Sequence, residues 1–295
     1  MLKQTLVFTN PFRLSLKNAQ LVVASREMPE ETRTIPIEDV GMVIIENQMI
    51  SVTIPLLNEL VDSGVAVVLC DRKGMPHAML QNMDGNNLQG EFLRNQIEVG
   101  EVLRKQLWKQ IVEAKIRNQS ALLEKQHSKG ALLKPFYMNV KTGDSDNREG
   151  IAARLYWGEL FGGDFVRDRE GGGVNALLNY GYTVLRAATA RALVSAGLTP
   201  SLGIFHHNRS NAFPLADDLM EPYRPFVDEV VFHLCQEGKL DLNKETKTEL
   251  LGVLTCDTFF PKVTRPLQIG LSITMASLAK CYAGKQKKLS LPSLK

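Results

Sequence analysis

Asn82-Met-Asp-Gly-Asn-Asn87 separates two hydrophobic periods. Before it, apolar residues come in short runs bounded by turn formers: Leu21-Val-Val-Ala24, Gly41-Met-Val-Ile-Ile45, and Val65-Ala-Val-Val-Leu-Cys70 between Gly64 and Asp71. Runs of this length and β-branched content predict strands. Between the last two, Ile54-Pro-Leu-Leu-Asn-Glu-Leu-Val-Asp-Ser63 has helical spacing at Leu56, Leu57, Leu60 and Val61, with Pro55 suited to a first turn and Gly64 to a stop. Asp71-Arg-Lys-Gly74 predicts a turn, and His77 to Leu80 a last short strand. Beyond the polar stretch the period changes. Leu103, Leu107 and Ile111 recur every four residues with Trp108 and Val112 beside them, which predicts an amphipathic helix with its lysines and arginines on the other face. Further helices are predicted from Ile151 to Phe161, Val174 to Gly197, Phe226 to Glu237 and Leu267 to Tyr282. The expected fold is therefore α+β: a small amino-terminal β-rich domain, residues 1–84, followed by a larger all-α domain, residues 85–295. The length of 295 residues accommodates both, at about 150 residues per domain.

Composition excludes the extreme classes. At 44% hydrophobic and 23% charged the chain is neither disordered nor fibrous. No apolar stretch reaches spanning length, and the first residues lack the apolar run and cleavage site of a secretory signal, so the expectation is a cytoplasmic protein with no membrane partner. Cys70, Cys235, Cys256 and Cys281 have no paired spacing and are expected to be reduced hydrophobes rather than zinc ligands or disulfides. The net charge of +3 says little by itself, since attraction to a polyanion depends on where charge clusters. Between Leu103 and Lys134 lie Arg104, Lys105, Lys109, Lys115, Arg117, Lys125, Lys129 and Lys134, opposed by Glu113 and Glu124. That face is either a solvated helix surface or a track for DNA phosphates.

Three segments place polar groups in unusual company. Glu149 precedes Gly150 and a run of small and aromatic residues to Trp157; alone, it reads as an acid in a helix's first turn. Gly203-Ile-Phe-His-His-Asn-Arg-Ser210 brings an apolar approach to two histidines. Neutral imidazole ligates metals and moves protons, and adjacent histidines point in different directions, so His206 is preferred and His207 held in reserve. In Ala216-Asp-Asp-Leu-Met-Glu-Pro-Tyr-Arg-Pro225, Asp218 and Glu221 are three apart; on a helix both face one side, able to approach one cation or simply to cap a helix start. Gly171-Gly-Gly173 has no following Gly-Lys-Ser/Thr and is read as a flexible connection, not a phosphate-binding loop.

Together these segments resemble the CRISPR-associated protein one family, the integrase that inserts new spacers into CRISPR arrays. Arg148-Glu-Gly150 with Ala152 to Trp157, Gly203-Ile-Phe-His206 and Asp218-Leu-Met-Glu-Pro-Tyr-Arg-Pro225 carry the resemblance, supported by Asn175-Ala-Leu-Leu-Asn-Tyr-Gly-Tyr182 and Gly197-Leu-Thr-Pro200. It extends over essentially the whole chain. It implies an amino-terminal β domain used in homodimerisation and a helical catalytic domain that binds Mg²⁺ or Mn²⁺ through Glu149, His206 and Glu221, with Asp218 assisting. The family spacing selects His206 over His207, and the final acid is Glu where some members have Asp. The paired histidines and the Pro-rich segment are similar to versions found beside single-effector, RNA-guided nucleases. The implied partners are incoming and repeat DNA and CRISPR-associated protein two.

A hard divalent ion at such a site suits phosphodiester chemistry, and carboxylates with one imidazole suit Mg²⁺ or Mn²⁺ better than zinc. The expected reaction is attack of a DNA 3′-hydroxyl on a repeat phosphate. Arg148, Arg209, Arg224, Lys105 and Lys109 are the candidate DNA contacts. The competing readings are a stand-alone metal-dependent nuclease of branched or repair DNA and a non-catalytic DNA-bridging scaffold.

Overall fold

A computed structural model describes residues 3–26, 28, 30–80, 82 and 88–295. The expected boundary after residue 84 lies outside the described residues, as does most of the polar stretch around it. The chain divides into two compact units, Met1–Asn86 and Asn87–Lys295.

In the first unit the chain order is β1 (Gln4–Phe8), β2 (Phe12–Lys17), β3 (Gln20–Ser25), β4 (Thr32–Pro36), β5 (Val40–Ile45), β6 (Ser51–Val52), helix α1 (Ile54–Asp62), β7 (Ala66–Cys70) and β8 (Pro76–Leu80). They form two four-stranded sheets, ordered β1-β5-β7-β8 and β4-β3-β2-β6. In the first sheet β1, β5 and β7 run parallel, Val43 facing Val67, and β8 returns antiparallel. The second is an antiparallel meander, Leu14 facing Val23, with β6 parallel to β2. The β2–β3 turn puts Asn18 and Ala19 at positive φ, the requirement of the primed turns whose twist matches a tight hairpin. Phe8, Leu14, Leu21, Val43, Leu56, Leu60 and Val67 meet in one core, so α1 and both sheets bury their apolar faces together. The strands expected from β-branched runs are β3, β5 and β7.

The second unit contains α2 (Gln89–Glu98), α3 (Glu101–His127), α4 (Lys134–Met138), α5 (Arg148–Phe161), α6 (Val174–Ser195), α7 (Pro214–Met220), α8 (Arg224–Gln236), α9 (Lys244–Gly252), a hairpin of β9 (Asp257–Phe260) and β10 (Val263–Pro266), and α10 (Leu267–Tyr282). The hairpin is a difference from the all-α expectation: Thr258-Phe-Phe260 and Val263-Thr264 are β-forming residues that pair across a turn at Pro261 and Lys262. The long α3 packs against α4, α5, α7 and α8. Leu107, Trp108, Ile111, Val112 and Ile116 are buried on it, each large apolar side chain contributing about 1.5–3 kcal/mol. Its burial continues into Asn118, Gln119 and Ser120, and of the lysines expected on the outer face Lys115 is largely buried, whereas Lys105 and Lys125 are exposed. Among the described residues no helix is long and apolar enough to cross a membrane. Cys70 and Cys281 are buried, as small hydrophobes are.

Candidate active site

Glu149 lies in the first turn of α5, and the loop before it sets its direction. Asn147, in the left-handed region at φ 52°, caps the helix, its Oδ1 accepting from the Gly150 amide at 3.2 Å. Asp144 Oδ1 and Oδ2 accept from the amides of Arg148 (2.8 Å) and Glu149 (3.1 Å). Three amides that a helix start leaves without intrahelical partners are thus satisfied. Burial pushes the Asp144 carboxyl above its ordinary value despite those bonds.

Glu221 opens a single 3₁₀ turn, Glu221–Tyr223, between α7 and α8. Pro222 and Pro225 each stand in a first turn, where a missing N–H costs nothing, so the two prolines join these short elements rather than break them. Glu149 and Glu221 converge on one cation, the ammonium of Lys115 from α3. Its Nζ is 2.5 Å from Glu149 Oε1 and 2.6 Å from Glu221 Oε2. The Lys115 side chain is 12% exposed, Glu149 21% and Glu221 5%. Glu221 Oε1 pairs with Arg224 Nη2 at 3.0 Å. Burial pushes the Glu221 carboxyl up, but Arg224 and Lys115 outweigh it and hold it below its ordinary value. Burial likewise depresses Lys115, and the two glutamates reverse the direction.

His206 is fixed by Asp218, which is fully buried. Asp218 Oδ2 accepts from the amides of Ile204 (2.6 Å) and Phe205 (3.0 Å), and Oδ1 from the His206 amide (3.3 Å). The same Oδ1 lies 2.5 Å from His206 Nδ1. The chain turns so tightly here that a Cβ on Gly203 would collide with the His206 carbonyl oxygen, which leaves glycine as the residue that fits. Burial pushes the Asp218 carboxyl up, opposed by His206 and the amides of Phe205 and Ile204; only donors face it, so the ionised form is the one its surroundings satisfy. The bond to Asp218 raises the His206 pKa above its ordinary value. With Nδ1 committed to a carboxylate, Nε2 is the nitrogen left for a ligand or a proton. The ring also packs edge-on against Trp108, 5.7 Å between centroids, while Phe205 stacks on Trp108 at 4.3 Å.

Asp218 and Glu221 therefore serve different partners. The three-residue spacing brings both carboxylates into the interior, but one faces the His206 loop and the other Lys115. His207 lines a cavity of about 260 Å³ with Trp108 and Phe205 and shares with His206 and Arg209 a second one of about 450 Å³. Arg148 is engaged with Asp146 (2.9 Å) and Arg224 with Glu221; Lys105 pairs with Glu101 (2.7 Å) and Lys109 with Glu113 (3.6 Å) on the outer surface of α3.

Lys115, expected on the basic outer face, is turned inward instead, and residues not singled out from sequence complete the arrangement. Lys115 continues the stripe Leu103, Leu107, Ile111 by four more residues, and a lysine on the apolar side of a helix is the signal that distinguishes it. One turn further, the buried Asn118 donates to the carbonyls of Pro222 (2.7 Å) and Pro292 (3.1 Å) and accepts from the Leu294 amide (3.1 Å). Behind Arg224, whose guanidinium lies 4.6 Å from the centre of the Tyr182 ring, the hydroxyls of Tyr182 (2.5 Å) and Tyr156 (2.7 Å) both donate to Asp228. Burial pushes that carboxyl up to about 6.

The donor set suits a hard divalent ion: two carboxylates already directed at one positive charge, and an imidazole whose far nitrogen is backed by a carboxylate. As the side chains stand, no three His, Cys, Asp or Glu among the described residues form a ready metal cage. The ammonium of Lys115 takes the place between the two glutamates.

The family model described as CRISPR associated protein Cas1 matches residues 5–264. A CRISPR-associated endonuclease Cas1 from Neisseria meningitidis is 38% identical over 255 residues, 85% of this chain and 83% of that protein. The fold is similar to that of a casposase bound to integration product, with a TM-score of 0.79, 21% identity, and coverage of 98% of this chain and 93% of that one. It is also similar to a chain of a Cas6-RT-Cas1–Cas2 complex, with a TM-score of 0.78, 21% identity, and coverage of 99% of this chain and 36% of the other. The chain belongs to the Cas1 family of CRISPR-associated endonucleases.

Proposed function

We propose that the protein is a divalent-metal-dependent DNA integrase of CRISPR adaptation, which inserts spacer DNA by attack of a 3′-hydroxyl on a repeat phosphodiester. The observation that carries this reading is the convergence of Glu149 and Glu221 on one cation, in a chain whose His206 Nδ1 is anchored to buried Asp218. Glu149, Glu221 and His206 Nε2 are the ligands, and Asp218 is a positioning residue that fixes the imidazole's rotation and directs its free nitrogen. Bound Mg²⁺ or Mn²⁺ supplies charge neutralisation at the phosphate and acidifies the attacking hydroxyl. Arg224 keeps Glu221 ionised and in place. Arg209, beside the cavity at His206, and Lys105 and Lys109 on the outer face of α3 are the phosphate contacts we favour. Arg148 and Arg224 are engaged within the chain, which makes their first role structural.

For partners, we carry over from the family a homodimer through the amino-terminal β unit and a complex with Cas2; the similar chain found in a Cas6-RT-Cas1–Cas2 complex supports the second. We also retain the association with single-effector systems, on the paired histidines and the Pro-rich segment, and a cytoplasmic site of action, where the DNA is. The test is integration into a supercoiled CRISPR plasmid with and without Cas2 and Mn²⁺. Joining that needs both, and that disappears in Glu149→Ala, His206→Ala and Glu221→Ala while DNA binding persists, is the expected result. Unchanged joining in all three variants would overturn these ligands, DNA held without cutting or joining would return the scaffold reading, and cutting without joining the stand-alone nuclease.

A further inference from the structure

The cation between Glu149 and Glu221 in this structure is part of the chain itself. Two carboxylates from different elements would repel one another if they were left to face each other in a site this poorly screened by water. Lys115 removes that repulsion, at 2.5 Å from one and 2.6 Å from the other. Lys115 Nζ donates a hydrogen bond to Glu149 Oε1, whereas its contact with Glu221 is ionic rather than aligned: Glu221 Oε2 is buried and makes no hydrogen bond of its own, so the nearby charge is what satisfies it.

Resting on the reading of Glu149, His206 and Glu221 as ligands, we propose that Lys115 is a tethered place-holding cation, seated between the two glutamates in the metal-free protein and displaced from both when a divalent ion enters. The chemistry of the two cations around Glu221 separates their roles. Arg224 is planar, pairs with Oε1, and lies over the Tyr182 ring, so leaving would cost it two interactions at once. Lys115 carries a compact charge on a flexible four-carbon stem and leaves by side-chain rotation, with no movement of α3. Glu221 thus has one oxygen held by a fixed partner and one held by an exchangeable partner. The place-holder balances the charge of the two acids and keeps them facing each other, and it also sets a threshold that an ion must exceed. A place filled by the lysine about nine-tenths of the time lowers the apparent metal affinity about tenfold.

The experiment is Mn²⁺ binding to the full chain without DNA, with free Mn²⁺ read by electron paramagnetic resonance, together with thermal melting in EDTA and in saturating Mn²⁺. Lys115→Met removes the charge at similar length, Lys115→Gln keeps a polar group should the first variant fold poorly, and Lys125→Met removes a like charge elsewhere on α3. Both Lys115 variants are expected to bind Mn²⁺ about tenfold more tightly than wild type and to melt several degrees lower in EDTA, with Mn²⁺ abolishing that deficit; Lys125→Met should match wild type. Wild-type-like or weaker Mn²⁺ binding in the Lys115 variants, alongside wild-type binding that is lost in Glu149→Ala, would overturn the place-holder and leave the metal site standing. Binding that ignores Glu149→Ala and Glu221→Ala would overturn both.

Discussion

The two halves of the site are built by opposite means. Around His206 every polar contact is directional and local: Asp218 gathers three consecutive backbone amides and one ring nitrogen, and Gly203 admits the turn that lets it do so. Around Glu149 and Glu221 the contacts are charge on charge, carried by long side chains: Lys115 reaches both acids from a helix distant in sequence, and Arg224 reaches Glu221 from three residues on. Hydrogen bonds to backbone set angles and exclude alternatives; ion pairs between flexible side chains set charge balance and allow partners to exchange. The imidazole half is built for orientation, and the carboxylate half for occupancy by a cation.

That contrast can be broken or sharpened by substitution. The largest effect is expected at the carboxylates: Glu149→Ala or Glu221→Ala should lower DNA joining by about a thousandfold or more, with DNA affinity within a few-fold of wild type in a filter-binding or anisotropy measurement. Retention of joining in both variants would mean that the exchangeable half is only structural. Asp218→Asn comes next. An amide in place of the carboxylate offers an N–H where His206 and the backbone also donate, so joining should fall about ten- to a hundredfold with the melting temperature lowered. If joining is unchanged there, the orientation argument fails.

Smaller effects should come from the supports. Asn118→Leu leaves the carbonyls of Pro222 and Pro292 and the Leu294 amide without their buried partner, a cost of about 1–3 kcal/mol in urea unfolding. Joining measured well below the new melting temperature should survive. A second support shows itself as a pH effect at Asp228. Its folded pKa of about 6 lies above the ordinary 3.8, so the folded state holds more protons in that interval and stability falls as pH rises from about 4 to about 6, then levels. Asp228→Asn should flatten that part of the curve, seen as a melting-temperature difference from wild type that changes between pH 4 and 6 and is constant above; a constant difference throughout would place the carboxyl's pKa back at its ordinary value.

Much of the architecture is legible where one residue type dominates a run. β5 and β7 are apolar and buried along nearly their whole length, and the Val65–Cys70 run announces the second before any tertiary contact is known. β4 is different: Thr32-Arg-Thr-Ile-Pro36 is largely exposed and is a strand only because β3 pairs with it, information that lies elsewhere in the chain. β9 and β10 escape for another reason: their β-forming residues pair locally across a tight turn, but each run is only four residues long. In the site, Glu149, His206 and Glu221 emerge from sequence because three segments match one pattern together. Lys115 does not, since it belongs to a helix rich in lysines that mostly face water, and only the fourfold recurrence from Leu103 through Ile111 separates it from Lys105 and Lys109. Asn118 is unreadable locally, because its partners lie 104, 174 and 176 residues away.

Those separations also set a timetable. During synthesis Asn118 leaves the ribosome with none of these three groups yet made, and the Leu294 amide follows 176 residues later. At 5–20 residues per second that is roughly ten to thirty-five seconds. Until then the buried amide of Asn118 has neither the Pro292 carbonyl nor the Leu294 amide to meet, and water stands in for both.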